Sequence, residues 1–242
     1  MGRISFVFGF ILLVLSSCGL KDIGHAIDGT LVNLSRRGLT EIPEEVFFNK
    51  DVKVLKLYGN KLDSIPERIG ELVNLEKLFI GRNDIKTLPK SIGKLKNLKI
   101  LSAQYNEIEE LPESIGDLEN LEQLVLNQNH LKELPSSIGR LKELVVLQVK
   151  FNSLESIPKE IGDCEKLQFI HLSRNNLSEI PKEIENLRKL RELYVANAGV
   201  LLSLPESLCN LRYFEVLEID MTTVVPTCLL VQQTTRLQII QK

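Results

Sequence analysis

The sequence predicts an α/β solenoid, a right-handed coil with a parallel β-sheet along its concave side and short helical or 3₁₀ turns along its convex side. Three observations predict it. Seven prolines, Pro43, Pro66, Pro89, Pro112, Pro135, Pro158 and Pro181, fall 23 residues apart, and Pro205 follows 24 further on. Apolar residues keep the same offsets from these prolines in unit after unit. An asparagine stands at one fixed offset in six successive units, as Asn60, Asn83, Asn106, Asn129, Asn152 and Asn175. A fixed period in the twenties means one supersecondary unit stacked many times.

Nine units begin at Gly29, Val52, Leu75, Leu98, Leu121, Leu144, Leu167, Leu190 and Phe214. The unit from Leu75 shows the pattern LxxLxLxxNxLxxLPxxIxxLxx, with Leu75, Leu78, Ile80, Asn83, Ile85, Leu88, Pro89, Ile92 and Leu95 at its fixed positions. Apolar fourth and sixth positions, such as Leu124 and Leu126, alternate with polar neighbours, which is the period of a short strand with one buried face. Twenty-three residues return the chain in the same direction, so the strands pair in parallel through right-handed crossovers. The asparagine amide both donates and accepts, so it can satisfy backbone groups of a buried turn and of its neighbour. Proline, with fixed φ and no N–H, suits the first position of a short helical turn on the return leg. Gly70, Gly93, Gly116, Gly139 and Gly162 stand singly inside their units, so they fit close packing of adjacent turns rather than a phosphate loop.

This template resembles the leucine-rich-repeat family in its short, 23-residue bacterial form, over roughly residues 29–225. The resemblance implies that the asparagines form a structural ladder and that the concave sheet binds a protein partner. It also implies that bacterial members of this kind are surface-exposed and contact host proteins or matrix components. Some family members are cytoplasmic regulators of signalling proteins, which is the alternative reading. Others carry an appended ubiquitin-ligase domain, but the 29 residues that begin at Phe214 are too few for one, so no catalytic residue and no enzyme are expected.

The first eighteen residues are of another kind. A short basic start, Met1 to Arg3, leads into an apolar run from Ile4 to Leu15 and then Ser16, Ser17 and Cys18. Twelve apolar residues are too few to span a bilayer, where about 20 are needed, so the segment reads as an export signal. Its end resembles a bacterial lipobox, which makes Cys18 the lipidation site. The expected layout is a signal peptide at 1–17, a lipidated tether at 18–28, the repeats at 29–225 and a degenerate cap or tail at 226–242. The expected location is the outer membrane or cell surface, with secretion as the fallback.

Lys plus Arg, at 30, nearly balances Asp plus Glu, at 32, so the composition offers no basic field for nucleic acid. Neither cofactor nor metal is expected, since His25, His130 and His171 do not cluster. Cys164 takes a core position filled by leucine in other units. Cys209 and Cys228 leave two readings, a disulfide that staples the C-terminal end or two free thiols, and the lack of any repeated cysteine spacing favours the thiols.

The outward strand positions nominate the partner-binding face. They carry Tyr58, Phe79, Tyr105, Phe151, Phe169 and Tyr194, flanked by Arg82, Lys150, His171 and Arg174. The leucine and isoleucine columns already fill the core, so packing does not call for these aromatics, although they could shield neighbouring strands. The apolar tail from Val224 predicts a degenerate last strand whose open edge could support a homodimer.

Overall fold

The computed structural model describes residues 27–232 and 237–242. The signal-like segment, Cys18 and most of the tether lie outside them. Eleven strands form one sheet in sequence order: β1 (Ile27–Asp28), β2 (Leu31–Asn33), β3 (Val54–Lys56), β4 (Lys77–Phe79), β5 (Ile100–Ser102), β6 (Gln123–Val125), β7 (Val146–Gln148), β8 (Phe169–His171), β9 (Glu192–Tyr194), β10 (Val216–Ile219) and β11 (Gln238–Gln241). From β2 to β11 every pairing is parallel. Leu55 aligns with Leu78, Leu78 with Leu101 and Leu101 with Leu124, so equivalent positions of successive units stand side by side as columns.

The core is the stack of inward columns. Leu78, Ile80, Ile85, Ile92 and Leu95 of one unit are all fully buried, and the same positions repeat along the coil. The convex turns are 3₁₀, for example Glu113–Asp117 and Ser136–Arg140. Each proline from Pro66 to Pro205 stands one place earlier than the sequence suggests, as the N-cap of its 3₁₀ turn with extended ψ, where its carbonyl accepts the N–H three residues on: Ile115 N–H donates to Pro112 O at 2.9 Å. Fixed φ and the missing N–H serve equally well there. Glycine in these turns is a packing requirement. A Cβ on Gly116 would lie 2.3 Å from the Ser137 carbonyl oxygen of the next turn.

The asparagine ladder forms as expected. Asn129 Oδ1 accepts from Ile108 N–H at 3.0 Å, while its Nδ2 donates to Ala103 O at 3.0 Å and to Leu126 O at 2.9 Å. Asn60, Asn83, Asn106, Asn152 and Asn175 repeat this bridge between units. The ladder ends at Ala198, and there the backbone takes over: Leu177 N–H donates to the Ala198 carbonyl at 2.6 Å. That approach demands glycine next, because a Cβ on Gly199 would sit 1.8 Å from Leu177 O. The extra residue of this unit emerges as Val200 and Leu201, 91% and 67% exposed.

Both ends of the described coil depart from the repeat. At the N-terminal end β1 pairs antiparallel with β2, and helix α1 (Glu45–Phe48) replaces the 3₁₀ turn, burying Val46 and Phe47. At the C-terminal end helix α2 (Thr227–Gln232) and β11 extend the fold past residue 225, with Leu229 and Leu237 buried. Cys209 and Cys228 are bonded to each other, with Cα atoms 6.1 Å apart, which corrects the free-thiol reading. A single pair needs no repeated spacing, because α2 folds back onto the turn Glu206–Asn210 that holds Cys209. Cys164 is free and buried, and burial pushes its thiol up to about 12.

Candidate binding face

The concave face is built from four outward columns. Two lie on the strands themselves, at the first and third residue of β3–β9, and flank the buried middle residue. The first holds Phe169, and the second holds Phe79, His171 and Tyr194. The third column follows the strand ends and holds Tyr58 and Lys150. The fourth stands just before the asparagine ladder and holds Arg82, Tyr105, Phe151 and Arg174. The predicted residues therefore share one face but do not make one stripe.

The fourth column has a property that strand periodicity does not reveal. Arg36, Arg82, Tyr105, Gln128, Phe151, Arg174 and Asn197 all adopt positive φ, between 53° and 60°, and Gly59 takes the same place in the second unit at 73°. The chain must turn there from the strand into the asparagine loop, and a left-handed residue makes that turn. Holding an L-residue so costs roughly 1 kcal/mol relative to glycine. Tyr105 and Phe151 nonetheless sit there, 44% and 40% exposed.

Arginines cover these rings. The Arg82 guanidinium lies 4.9 Å from the Tyr105 ring centroid, and that of Arg174 lies 4.8 Å from Phe151. One arginine reaches forward to the next unit and the other back to the preceding one. Read across five units, the column is Arg82, Tyr105, Gln128, Phe151, Arg174, with each arginine stacked inward. In the strand columns His171 and Tyr194 stack with centroids 4.2 Å apart and planes 8° from parallel. Burial, aided by Lys150, holds His171 below the ordinary histidine value, so the imidazole is neutral near pH 7. Tyr194 donates to Glu192 at 2.6 Å, and this bond, with burial behind it, raises the phenol to about 12.

A second asparagine ladder escaped the sequence reading. Asn74, Asn97 and Asn120, also 23 apart, donate to Lys50 O, Val73 O and Lys96 O at 3.0, 2.9 and 2.9 Å on the opposite side of the coil. These bonds are exposed and belong to the scaffold. The period alone would have found them.

Three family models, all of leucine-rich repeats, match in succession at residues 30–85, 90–171 and 166–187, and the second describes a leucine-rich repeat region. The chain is a leucine-rich-repeat protein. Solved structures agree. A leucine-rich-repeat protein of Leptospira interrogans is 30% identical, with 86% of this chain and 59% of that one aligned and a TM-score of 0.67. The plant peptide hormone receptor RGFR1, solved in complex with RGF2, is 32% identical over 83% of this chain and 37% of the receptor, with a TM-score of 0.67. The PEPR1–AtPEP1 structure gives 26% identity over 87% and 34%, with a TM-score of 0.72. This leucine-rich-repeat chain thus spans less than two thirds of the length of each, and little more than a third of the two plant proteins. Comparison with curated proteins gave no match.

Proposed function

We propose that this is an exported, lipid-anchored leucine-rich-repeat protein whose concave face binds another protein at a cell surface. The observation that carries the binding reading is the pair Tyr105 and Phe151, large aromatics held open to solvent on backbone where glycine would be less strained. Exposed aromatics fixed on a rigid frame bind with little ordering cost. RGFR1, by its description a peptide hormone receptor, supports a polypeptide partner.

Export rests on the basic-then-apolar start and on Cys18 at its end, with diacylglyceryl transfer to the Cys18 thiol as the anchoring step. The Cys209–Cys228 bond adds independent support, since structural disulfides persist in oxidising compartments. The bacterial outer membrane or cell surface, facing host protein or matrix, is the setting this reading implies.

Two measurements test it. Intact mass and detergent partitioning of the chain made in its own host, beside Cys18→Ala, should show an acylated species starting at Cys18 that the variant lacks. An unmodified chain keeping Met1 would refute the anchor and move the partner search to intracellular signalling proteins. Phe151→Ala, Phe169→Ala and Tyr194→Ala together should abolish partner capture while the circular-dichroism melt is retained. Capture at full strength by that variant would remove the concave face from consideration.

A further inference from the structure

The near-neutral composition conceals a charge asymmetry. Over the first seven units the four outward columns hold six charged residues, Arg36, Lys56, Lys77, Arg82, Lys150 and Arg174, and every one is basic. Carboxylates enter the columns only in the last two units, and all three there are engaged. Glu192 accepts from Tyr194, Glu218 pairs with Lys242 at 2.6 Å, and Asp220 accepts from Thr222 and from Asn197 N–H. Within the described residues none of the six cations forms an ion pair, whereas nine lysines and arginines of the other faces, Lys50, Lys53, Arg68 and Arg191 among them, do. Asp84 and Glu107 stand beyond the asparagine column on the rim, outside this set.

The cations also have an order. Lys77 and Arg82 belong to the third unit, Lys150 and Arg174 to the sixth and seventh, and the columns of the two units between carry no charge, with Ser102, Gln104, Gln123, Val125 and Asn127. Each guanidinium rests over one ring, Arg82 on Tyr105 and Arg174 on Phe151, while both arginines stay exposed and so can still offer N–H donors to a ligand. A guanidinium edge matches a carboxylate bidentately. Arg82 and Arg174 lie four units apart, about 19 Å at a strand spacing of about 4.8 Å, which an extended peptide spans in about six residues at roughly 3.3 Å each.

We propose that the column Arg82, Tyr105, Gln128, Phe151, Arg174, with Lys77 and Lys150 beside it, docks an extended acidic peptide segment of a protein partner whose carboxylates stand about six residues apart. This rests on the concave face being a protein-binding face and adds the chemistry of what it reads. Apolar ligand side chains between the two carboxylates would meet Val125 and the aromatic edges.

A phage-displayed random 12-residue library, selected on the full chain, tests both levels. Enrichment of sequences with two acidic residues about six apart is expected. A synthetic winner should bind Arg82→Gln/Arg174→Gln about tenfold or more weaker and lose affinity in high salt. Because glycine suits the left-handed position, Phe151→Gly should melt at or above wild type yet also lose binding, so misfolding cannot explain the loss. Winners without acidic residues that still fail on the Phe151/Phe169/Tyr194 alanine variant would overturn the acidic assignment and leave the face as a protein-binding face. Winners that bind both variants at full affinity would overturn both. Binding of a heparin oligosaccharide, lost in Arg82→Gln/Arg174→Gln with no peptide enriched, would assign the stripe to a sugar polyanion and overturn the peptide proposal.

Discussion

Breaking the Cys209–Cys228 bond is the perturbation whose size follows most directly from the structure. The two residues are 19 apart in sequence, and cross-linking a loop of about that length removes about 11 cal/mol/K of chain entropy from the unfolded state, or about 3 kcal/mol at room temperature. With an unfolding entropy of about 2.1 cal/mol/K per residue over about 200 residues, this corresponds to a drop of roughly 7 °C in melting temperature. The loss should fall on α2, β10 and β11, because the bond ties α2 to the last 3₁₀ turn and does not touch the inner units. Cys209→Ser/Cys228→Ser and the wild type, each with and without dithiothreitol, should be melted by far-ultraviolet circular dichroism. A non-reduced tryptic digest should contain the peptide ending at Arg212 linked to the one ending at Arg236. Cys164 serves as an internal control, since its buried thiol, pushed up to about 12, should resist alkylation in the folded protein. Recovery of Cys209 and Cys228 as separately alkylated peptides, together with superimposable melts, would refute the reasoning and withdraw the structural support for export.

Other consequences concern the scaffold and the face. Asn129→Ala should cost about 1–3 kcal/mol in urea unfolding, because Ile108 N–H would be left buried and unpartnered while Ala103 O and Leu126 O keep the amides of Asn106 and Asn152; an unchanged midpoint would mean that the ladder is dispensable. Gly116→Ala should destabilise by about 1–3 kcal/mol through the clash with Ser137 O, and an unchanged midpoint would show that the turns can part freely. His171 should titrate below about 6.5 by NMR, its largest cause being burial. In the window between the folded and unfolded values the unfolded chain binds more protons, so stability should fall as pH drops through it, and His171→Gln should flatten that slope. Coincident pH–stability curves for wild type and variant would count against it.

Period alone revealed the fold because each unit repeats one set of physical demands. Leucine columns fill the core, asparagine satisfies the turn, glycine lets the 3₁₀ turns approach, and the fixed offsets make every demand visible many times over. What the period hid occurs where units differ. Ala198 looks like a defect in the ladder, yet Gly199 beside it is the signature of the backbone substitute, since only a missing Cβ lets the Ala198 carbonyl reach Leu177 N–H. The Cys209–Cys228 bond joins α2 to the last 3₁₀ turn, and α2 occurs once, so no column reports it.

The face was half legible for a related reason. Alternation placed Phe79, Phe169 and Tyr194 correctly, but it treats the residue before the asparagine as one more strand position, and the backbone there is left-handed. That difference changes what Arg82, Tyr105, Phe151 and Arg174 mean. On a strand their exposure would be an ordinary outward side chain, whereas at positive φ each is retained against a conformational cost that Gly59 avoids in the same column. Net charge misleads in a parallel way, because a solenoid sorts its residues by column and a whole-chain sum averages over them. Thirty basic and thirty-two acidic residues leave the chain near neutral, while the concave columns of seven units hold bases alone. The acids that balance them lie on other faces, many in ion pairs such as Glu71 with Lys50 and Glu143 with Lys166. Screening over about 8 Å at physiological salt keeps those distant acids from cancelling the field on the concave side. For a repeat array, the charge that a partner meets is therefore the charge of a column.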